Sequence, residues 1–268
     1  MTATDIVFAG SIPGLYDRYL GPLLFEPYAA EVARRAAAQK PKRILEVAAG
    51  TGIVTQALHQ ALPHAEIVAT DLNPAMLEVA AQRVSSDKVS FSAADALHLP
   101  FDSDSFDLVV SQFGIMFYPD RVKGNAEARR VLRDGGHYFA LIWDRLDQNP
   151  ASRIAHETVA GLYPDDPPTF LTRTPFGYTD IPTIERDMRL AGFETLTCET
   201  VRLESRAVSA NDAATGLVAG SPLRSEVEAR DGEGLDSAIV AVAEALRSLE
   251  RDGRLDSHLS AHLVTATK

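Results

Sequence analysis

The chain has 268 residues, of which 46% are hydrophobic and 24% charged, so it is long enough to bury a core and we expect it to be folded. Its 26 Lys and Arg against 37 Asp and Glu give a formal charge of −11 without a dense basic run, which argues against a nucleic-acid-binding protein. A single cysteine, no zinc-like Cys/His spacing and no apolar run of membrane-spanning length predict a cytoplasmic protein without a metal, a secretory leader or a membrane span.

The first half of the chain alternates between segments typical of strands and of helices. Apolar positions at helical spacing predict a first helix from about Leu20 to Gln39, ended by Pro41. Further strands are predicted at 42–48, 66–70, 89–91, 106–111 and 137–142, and further helices at 52–62, 74–84 and 120–132, the last closed by Gly135 and Gly136. Such alternation predicts a parallel sheet with helices on both faces and ligands at the carboxyl ends of its strands.

Past Trp143 this alternation is interrupted. We predict a helix at 147–163, a rigid polar loop at 164–175, a helix at 181–191 closed by Gly192, a strand at 193–202, a mostly helical stretch at 208–250 and a last strand at 257–267. Two inserted segments, 147–180 and 208–256, are therefore expected to fold over the carboxyl edge of the sheet as a cap.

The clearest ligand signal is a glycine turn followed by an acidic residue. Gly50-Thr51-Gly52 stands where a strand turns into a helix, and Asp71 ends the next strand, 19 residues after Gly52. Glycine lets the backbone approach a ligand, and an acidic side chain at a strand tip can accept hydrogen bonds from both hydroxyls of a ribose. Together they indicate a nucleoside site; the alternative is a tight turn beside a solvated aspartate.

Two further features refine the expected ligand. The turn continues Gly52-Ile53-Val54 and lacks the third glycine of the dinucleotide fingerprint, so a nicotinamide cofactor is the weaker choice. After the third strand, Asp95 is suited to accept from an adenine amino group while Leu72 packs on the ring. Its alternative role is that of an ordinary exposed aspartate in a loop.

These motifs resemble those of class I S-adenosylmethionine-dependent methyltransferases, in particular the methyltransferase type 11 group related to the ubiquinone and menaquinone methyltransferases. The resemblance is specific over about 16–143, and its motifs are the stretches 44–52, 69–76, 94–101, 106–111 and 129–136. It implies a Rossmann-like three-layer α/β sandwich with a seven-stranded, mostly parallel sheet and an antiparallel last strand. S-adenosylmethionine would lie across the tips of strands one, two and four.

The resemblance also implies a set of cofactor-binding residues. They are Tyr16, Tyr19, Glu46, Ala48, Gly50, Thr51, Gly52, Asp71, Leu72, Met76, Ala94, Asp95, Ala96, Gln112 and Phe113. Glu46, Ala48 and Gly50 would line the methionine end, and Asp71 and Leu72 would hold ribose and adenine. The residues after strand three would meet the adenine edge, those after strand four the methionine moiety, and the two tyrosines would close over the cofactor.

Methyl transfer from a sulfonium is an in-line displacement that mainly requires alignment and exclusion of water. The acceptor pocket is predicted at the ends of strands four and five, with a wall formed by Met116, Phe117, Tyr118 and Trp143. The alternative is that half of these residues are ordinary core. An apolar pocket under a cap favours a small organic acceptor over a protein or a nucleic acid. The general base stays unassigned, with His156 as a weak candidate.

The sequence thus predicts a single methyltransferase domain, 1–268, with an S-adenosylmethionine-binding core at 40–145 and cap insertions at the acceptor site. It leaves a homodimer open. Two other functions stay open as well: an NAD-dependent oxidoreductase on a similar fold, and a non-catalytic subunit that binds or senses S-adenosylmethionine.

Overall fold

The computed structural model describes residues 12–205, 209–231 and 234–268. The chain divides into two compact units. The sheet unit comprises Tyr28–Trp143, Tyr178–Val201 and Ala261–Lys268, and the helical unit comprises the described residues up to Pro27, Asp144–Gly177 and those of Arg202–Ser260. Residue 208, at which the second predicted insertion starts, lies outside the described residues, as do residues 1–11, 232 and 233.

Seven strands form one sheet in the order β3-β2-β1-β4-β5-β9-β6. The strands, with a separate hairpin of β7 and β8, are β1 (Arg43–Val47), β2 (Glu66–Asp71), β3 (Val89–Ala93), β4 (Phe106–Gln112), β5 (Leu132–Trp143), β6 (Thr195–Ser205), β7 (Glu250–Arg251), β8 (Arg254–Leu255) and β9 (Ser257–Thr267). The first five strands pair in parallel, and β9 pairs antiparallel with β5. The predicted fold class, a mostly parallel seven-stranded sheet with an antiparallel last strand, is confirmed.

In chain order the helices are α1 (Ile12–Leu15), α2 (Glu26–Gln39), α3 (Ile53–Ala61), α4 (Pro74–Arg83), α5 (Arg121–Val131), α6 (Pro150–Leu162), α7 (Phe170–Arg173), α8 (Ile181–Leu190), α9 (Ala210–Ala219), α10 (Leu223–Arg230) and α11 (Gly234–Leu246). The helices α3, α4, α5, α6 and α8 begin within about three residues of their predicted starts. Side-chain caps fix several starts: Asn73 Oδ1 accepts from Ala75 N at 3.0 Å before α4, and Asp120 Oδ1 accepts from Lys123 N at 2.9 Å before α5. Both caps lie at the carboxyl edge of the sheet, so they fix the helix starts beside the predicted site.

The start of the first predicted helix differs from the expectation. A π-helix over Tyr16–Phe25 runs directly into α2, and the Glu26 N–H donates to the carbonyl of Gly21, five residues earlier. Pro22 stands inside this segment and has no N–H to donate, which disfavours regular α-helical pairing there. The apolar periodicity predicted a helix but could not distinguish its hydrogen-bond pattern.

Two predictions about loops were wrong. The pair Gly135 and Gly136 does not close α5: the helix ends at Val131 and β5 begins at Leu132. Gly135 has φ +76° within β5, where the register with β4 shifts between Phe106 and Leu108, so the glycines form an irregularity of the strand. The predicted polar loop at 164–175 contains the short helix α7, in which the apolar residues Phe170 and Leu171 are buried.

Each unit has its own apolar core. In the sheet unit Leu45, Phe106 and Leu108 are fully buried on the central strands. In the helical unit α11 packs against α9 and α6, with Val242 and Leu246 fully buried. Burying one such side chain contributes about 1.5–3 kcal/mol, so each core strongly favours the folded state of its unit.

The described residues contain neither a membrane-spanning helix nor a cluster of metal-binding side chains. None of the helices within 12–205, 209–231 and 234–268 is long and apolar enough to cross a membrane. In the same ranges no group of three or more His, Cys, Asp or Glu side chains is arranged to hold a metal ion.

Candidate functional site

The turn after β1 contains two glycines, one beside open space and one in close contact with the next helix. Gly50 has φ +56° and Gly52 has φ +78°, backbone conformations that side chains disfavour. A Cβ at Gly50 would have only Met76 Cε within 4 Å, at 3.9 Å, so Gly50 has open space beside it. A Cβ at Gly52 would lie 2.9 Å from the Ala80 Cβ, so Gly52 is needed for the close approach of α3 and α4. Ala48, just before the turn, also has φ +58°.

Asp71, at the tip of β2, is held by the turn. Its Oδ2 accepts from the Gly50 N–H at 2.8 Å, and its Oδ1 accepts from the Asn73 N–H at 2.8 Å. Burial raises the pKa of Asp71, while these backbone hydrogen bonds oppose the rise. Each carboxylate oxygen retains a second lone pair, so the group can still accept from a pair of hydroxyls. The next side chain, Leu72, is 59% exposed and available to pack on a flat ring.

Glu46 lies inside the sheet unit on β1. It is buried, and its Oε2 accepts from the Thr55 hydroxyl on α3 at 2.6 Å. Burial raises the pKa of Glu46 to about 8; the Thr55 hydrogen bond opposes the rise, and the nearby Asp71 charge adds to it. A proton on Glu46 at neutral pH spares this edge of the sheet a second buried negative charge beside Asp71.

The loop after β3 is tied to the tip of β2, because the Ala94 N–H donates to the Asp71 carbonyl at 3.0 Å. Asp95 Oδ1 accepts from the Leu97 N–H at 2.8 Å, and His98 Nδ1 lies 3.2 Å from the other carboxylate oxygen. The Leu97 hydrogen bond is the largest of several contacts that lower the pKa of Asp95. The structure therefore brings Asp71 and the half-exposed Asp95 to one edge of the sheet, beside half-buried Ala96.

The ends of β4 and β5 meet in an aromatic cluster. The rings of Phe113 and Trp143 stack at 3.7 Å with an interplanar angle of 2°, and Tyr28 stands edge-on to both. Phe113 has φ +57° and its N–H donates to the Leu141 carbonyl at 3.0 Å. A large residue in the left-handed region is uncommon and is held there only by strong surroundings, a feature that recurs at functional sites. Half-buried Gln112 precedes it.

The other predicted pocket residues follow in a short turn over Ile115–Phe117. Met116 and Tyr118 are buried and Phe117 is half-buried. The Tyr118 hydroxyl lies 3.3 Å from Ser111 Oγ, and burial raises the pKa of Tyr118 well above its usual value. Tyr118 is thus poorly suited to act as a base at neutral pH.

Three predicted residues lie in the helical unit. Tyr16 stacks on Phe25 with ring centroids 4.7 Å apart, and the Arg18 guanidinium lies 5.1 Å from the centre of the Tyr19 ring. His156 is half-buried on α6, and burial lowers its pKa. Their roles toward cofactor and acceptor stay predictions.

Two side chains that contact the predicted site, Thr55 and Tyr28, were not predicted to belong to it. Thr55 was hidden in the apolar face of α3 and Tyr28 in the first helix, although both contact predicted residues. Thr51 does belong to the predicted cofactor-binding set, but the sequence could not show that its hydroxyl is buried and has no hydrogen-bond partner among the described side chains and backbone. Only the three-dimensional arrangement reveals these features.

A parallel sheet with this strand order, a glycine turn after β1 and an acid at the tip of β2 together define the fold of class I S-adenosylmethionine-dependent methyltransferases. Residues 45–140 match the family described as "Methyltransferase domain".

Similar proteins fall in the same class. A demethylmenaquinone methyltransferase of Deinococcus radiodurans is 36% identical over 143 residues, which are 52% of this chain and 59% of that protein. The chain therefore matches less than two thirds of the length of this curated relative.

Solved structures support the fold. A Haemonchus contortus phosphoethanolamine N-methyltransferase 2 in complex with S-adenosyl-L-methionine matches with a TM-score of 0.63 at 16% identity, covering 100% of this chain and 60% of that one. The cyclase SpnF matches with a TM-score of 0.56 at 18% identity, covering 89% and 81%. Because a cyclase shares the fold, the fold by itself does not fix the reaction.

Proposed function

We propose that the protein is an S-adenosylmethionine-dependent methyltransferase that acts on a small organic acceptor in the cytoplasm. The observation that carries the proposal is the Asp71 carboxylate, held at the tip of β2 by the N–H groups of Gly50 and Asn73, beside a turn with open space at Gly50. A carboxylate placed in this way suits the two hydroxyls of a ribose.

The residues of the sheet unit fit this cofactor. The backbone at Gly50 can be approached closely because a Cβ there would meet almost nothing, and exposed Leu72 offers an apolar surface for adenine. Asp95 retains acceptor capacity for the adenine amino group, since each of its oxygens has a second lone pair. When bound, S-adenosylmethionine supplies an electrophilic methyl group on a sulfonium. The residues after β1 and β4 would hold its methionine end.

The work left to the protein is alignment and exclusion of water. The stacked rings of Phe113 and Trp143, braced by Tyr28, form a rigid apolar wall at the ends of β4 and β5. Methyl transfer from the sulfonium to an ionised acceptor atom would cancel both charges, and an apolar wall would favour such a loss of charge. A quinone-like acceptor, as the name of the Deinococcus demethylmenaquinone methyltransferase indicates for that protein, agrees with such a wall.

We propose further that the segments 147–180 and 208–256 select the acceptor, and that no strong general base is required. Burial raises the pKa of Tyr118 and so disfavours it as a base, whereas burial lowers the pKa of His156 and so favours its uncharged form. A homodimer would be detected by light scattering on the purified protein.

The experiment that tests the function is a mass-spectrometric screen of small aromatic and quinone-like compounds with purified protein and S-adenosylmethionine. The expected result is a product heavier by one methylene group, with the added mass rising when the cofactor carries a trideuterated methyl group. A wild-type protein that binds the cofactor but methylates nothing in the library would favour a sensing subunit. Tight binding of NAD and none of S-adenosylmethionine would favour an oxidoreductase.

A further inference from the structure

Arg121, the first residue of α5, is a partly buried cation that has no carboxylate partner among the described residues. Its Nε atom is buried and has no hydrogen-bond partner in the described part of the chain. Its Nη2 donates a long hydrogen bond to the Met116 carbonyl at 3.4 Å. Charged groups withdrawn from water are normally paired with an opposite charge. A bound anion would supply both that charge and a hydrogen-bond acceptor for the Arg121 guanidinium.

The guanidinium is nevertheless firmly seated. It lies 4.4 Å from the centre of the Tyr178 ring. Tyr178 is buried, and its hydroxyl donates to Asp187 Oδ2 at 3.0 Å, while Arg186 pairs with the other oxygen of that carboxylate. The negative charge of Asp187 is thus committed to Arg186 and Tyr178. Stacking on an aromatic ring holds a guanidinium in place, and its in-plane N–H groups remain able to donate to an anion.

The position of Arg121 in the fold places it at the carboxyl edge of the sheet, where we propose that the acceptor binds. Strand β4 ends at Gln112 on the carboxyl edge of the sheet, and the chain reaches α5 after the short turn that contains Met116. The first residue of α5 therefore lies on the same edge as the tips of β1 and β2. The N-terminus of α5 adds a favourable dipole for a negative charge.

An unpaired nitrogen alone does not mark a site. Arg129, in the last turn of the same helix, also has a buried Nε without a hydrogen-bond partner among the described residues. Its side chain packs against Gly192, where a Cβ would lie 3.2 Å from Arg129 Cδ. Arg129 lies at the other end of α5, away from the carboxyl edge, and within the described part of the chain no aromatic ring is recorded beneath its guanidinium. Arg129 is therefore a matched control for the loss of a guanidinium from α5.

We propose that Arg121 binds an anionic group of the methyl acceptor, a carboxylate or a phosphate, an inference that rests on the proposed methyl-transfer function. The acceptor would place its apolar body against the aromatic wall of Phe113 and its anion on the Arg121 fork. Arg121 then determines which acceptors bind, and it takes no part in holding the cofactor.

Nuclear magnetic resonance of nitrogen-15-labelled protein can test this directly, because a buried arginine Nε–H is shielded from exchange with water. The Arg121 signal is assigned by its loss in Arg121→Lys, and the Arg129 signal by its loss in Arg129→Lys. Inorganic phosphate, 4-hydroxybenzoate and the uncharged 4-hydroxybenzamide are then titrated at millimolar concentration. We expect a saturable shift of the Arg121 signal with phosphate, with 4-hydroxybenzoate or with both, no shift with the amide, and a stationary Arg129 signal.

A second arm uses calorimetry on folded variants. Arg121→Gln should weaken binding of the responding anion at least about tenfold, Arg121→Lys less, and Arg129→Gln not at all, while S-adenosylmethionine affinity stays unchanged in each. An Arg121 signal that ignores both anions, or that moves only as much as the Arg129 signal, would overturn the inference. Failure of the wild-type protein to bind S-adenosylmethionine would instead overturn the proposed function, a separate readout.

Discussion

The Gly50 N–H donates to Asp71 Oδ2 at 2.8 Å and thereby ties the turn after β1 to the tip of β2. The Asp71 carboxylate thus stabilises the turn and can still accept hydrogen bonds from a ligand. Because both parts of the site share this contact, variants at either residue require a control that separates folding from binding.

For Gly50→Ala we predict loss of S-adenosylmethionine binding in a protein that stays folded. The backbone at Gly50 has φ +56°, so the alanine costs about 1–2 kcal/mol of stability, but its Cβ would meet only Met76 Cε at 3.9 Å. The methyl group would instead occupy the space beside the turn that the cofactor needs. Calorimetric titration together with urea unfolding measures both effects.

Gly52→Ala serves as its counterpart. Here the new Cβ would lie 2.9 Å from the Ala80 Cβ and 3.0 Å from its Cα, so overpacking adds about 1–3 kcal/mol to the backbone strain. We expect Gly52→Ala to lose more stability than Gly50→Ala. If Gly50→Ala binds the cofactor as the wild type does, the turn does not face it.

Glu46 should make stability depend on pH. The folded state holds its proton up to about pH 8, whereas the unfolded chain releases it near the ordinary value of 4.5. The stabilisation is therefore complete below the unfolded pKa and is lost as the pH rises through about 8. Glu46→Gln, which carries no charge at any pH, should gain at least about 1 kcal/mol relative to the wild type between about pH 5 and pH 8.5. Urea unfolding of both proteins across this range measures the difference, and parallel stability curves would contradict a buried protonated Glu46.

Leu246 on α11 tests whether the core of the helical unit matters to cofactor binding. It is fully buried, so Leu246→Ala should cost about 2–5 kcal/mol of unfolding free energy. Val240, on the same helix and 69% exposed, should tolerate alanine within about 0.5 kcal/mol. At a temperature where both variants are folded, we expect cofactor affinity within about threefold of the wild type, or roughly 0.65 kcal/mol. A large loss of affinity in folded Leu246→Ala would show that this core supports the cofactor site.

The central strands were predictable because β1, β2 and β4 are short apolar runs, and the turns that follow β1 and β2 carry their own chemistry, at Gly50-Thr51-Gly52 and Asn73-Pro74. Irregular features were not. The π-helix depends on a hydrogen-bond pattern that apolar periodicity does not encode. A Gly-Gly pair such as 135–136 is compatible both with the end of a helix and with an irregularity in a strand, so its sequence does not distinguish them. The seat of Arg121 depends on Tyr178, 57 residues away in the sequence, so no local motif could have indicated it.

The most direct test of the cofactor site is calorimetric titration of S-adenosylmethionine into the wild type, Asp71→Ala and Asp107→Ala. Asp107 is the matched control, because its Oδ2 accepts from the backbone N–H groups of Lys42 and Arg43 at the opposite end of β1, at 2.9 and 2.8 Å. Both variants should lose stability, since each leaves backbone N–H groups without their acceptor. We predict that Asp71→Ala weakens cofactor binding by about 1.5–3 kcal/mol, through loss of a charged acceptor for two ribose hydroxyls, and that Asp107→Ala leaves it unchanged. Equal affinity in folded Asp71→Ala and wild type, or no binding to the wild type at all, would contradict the account.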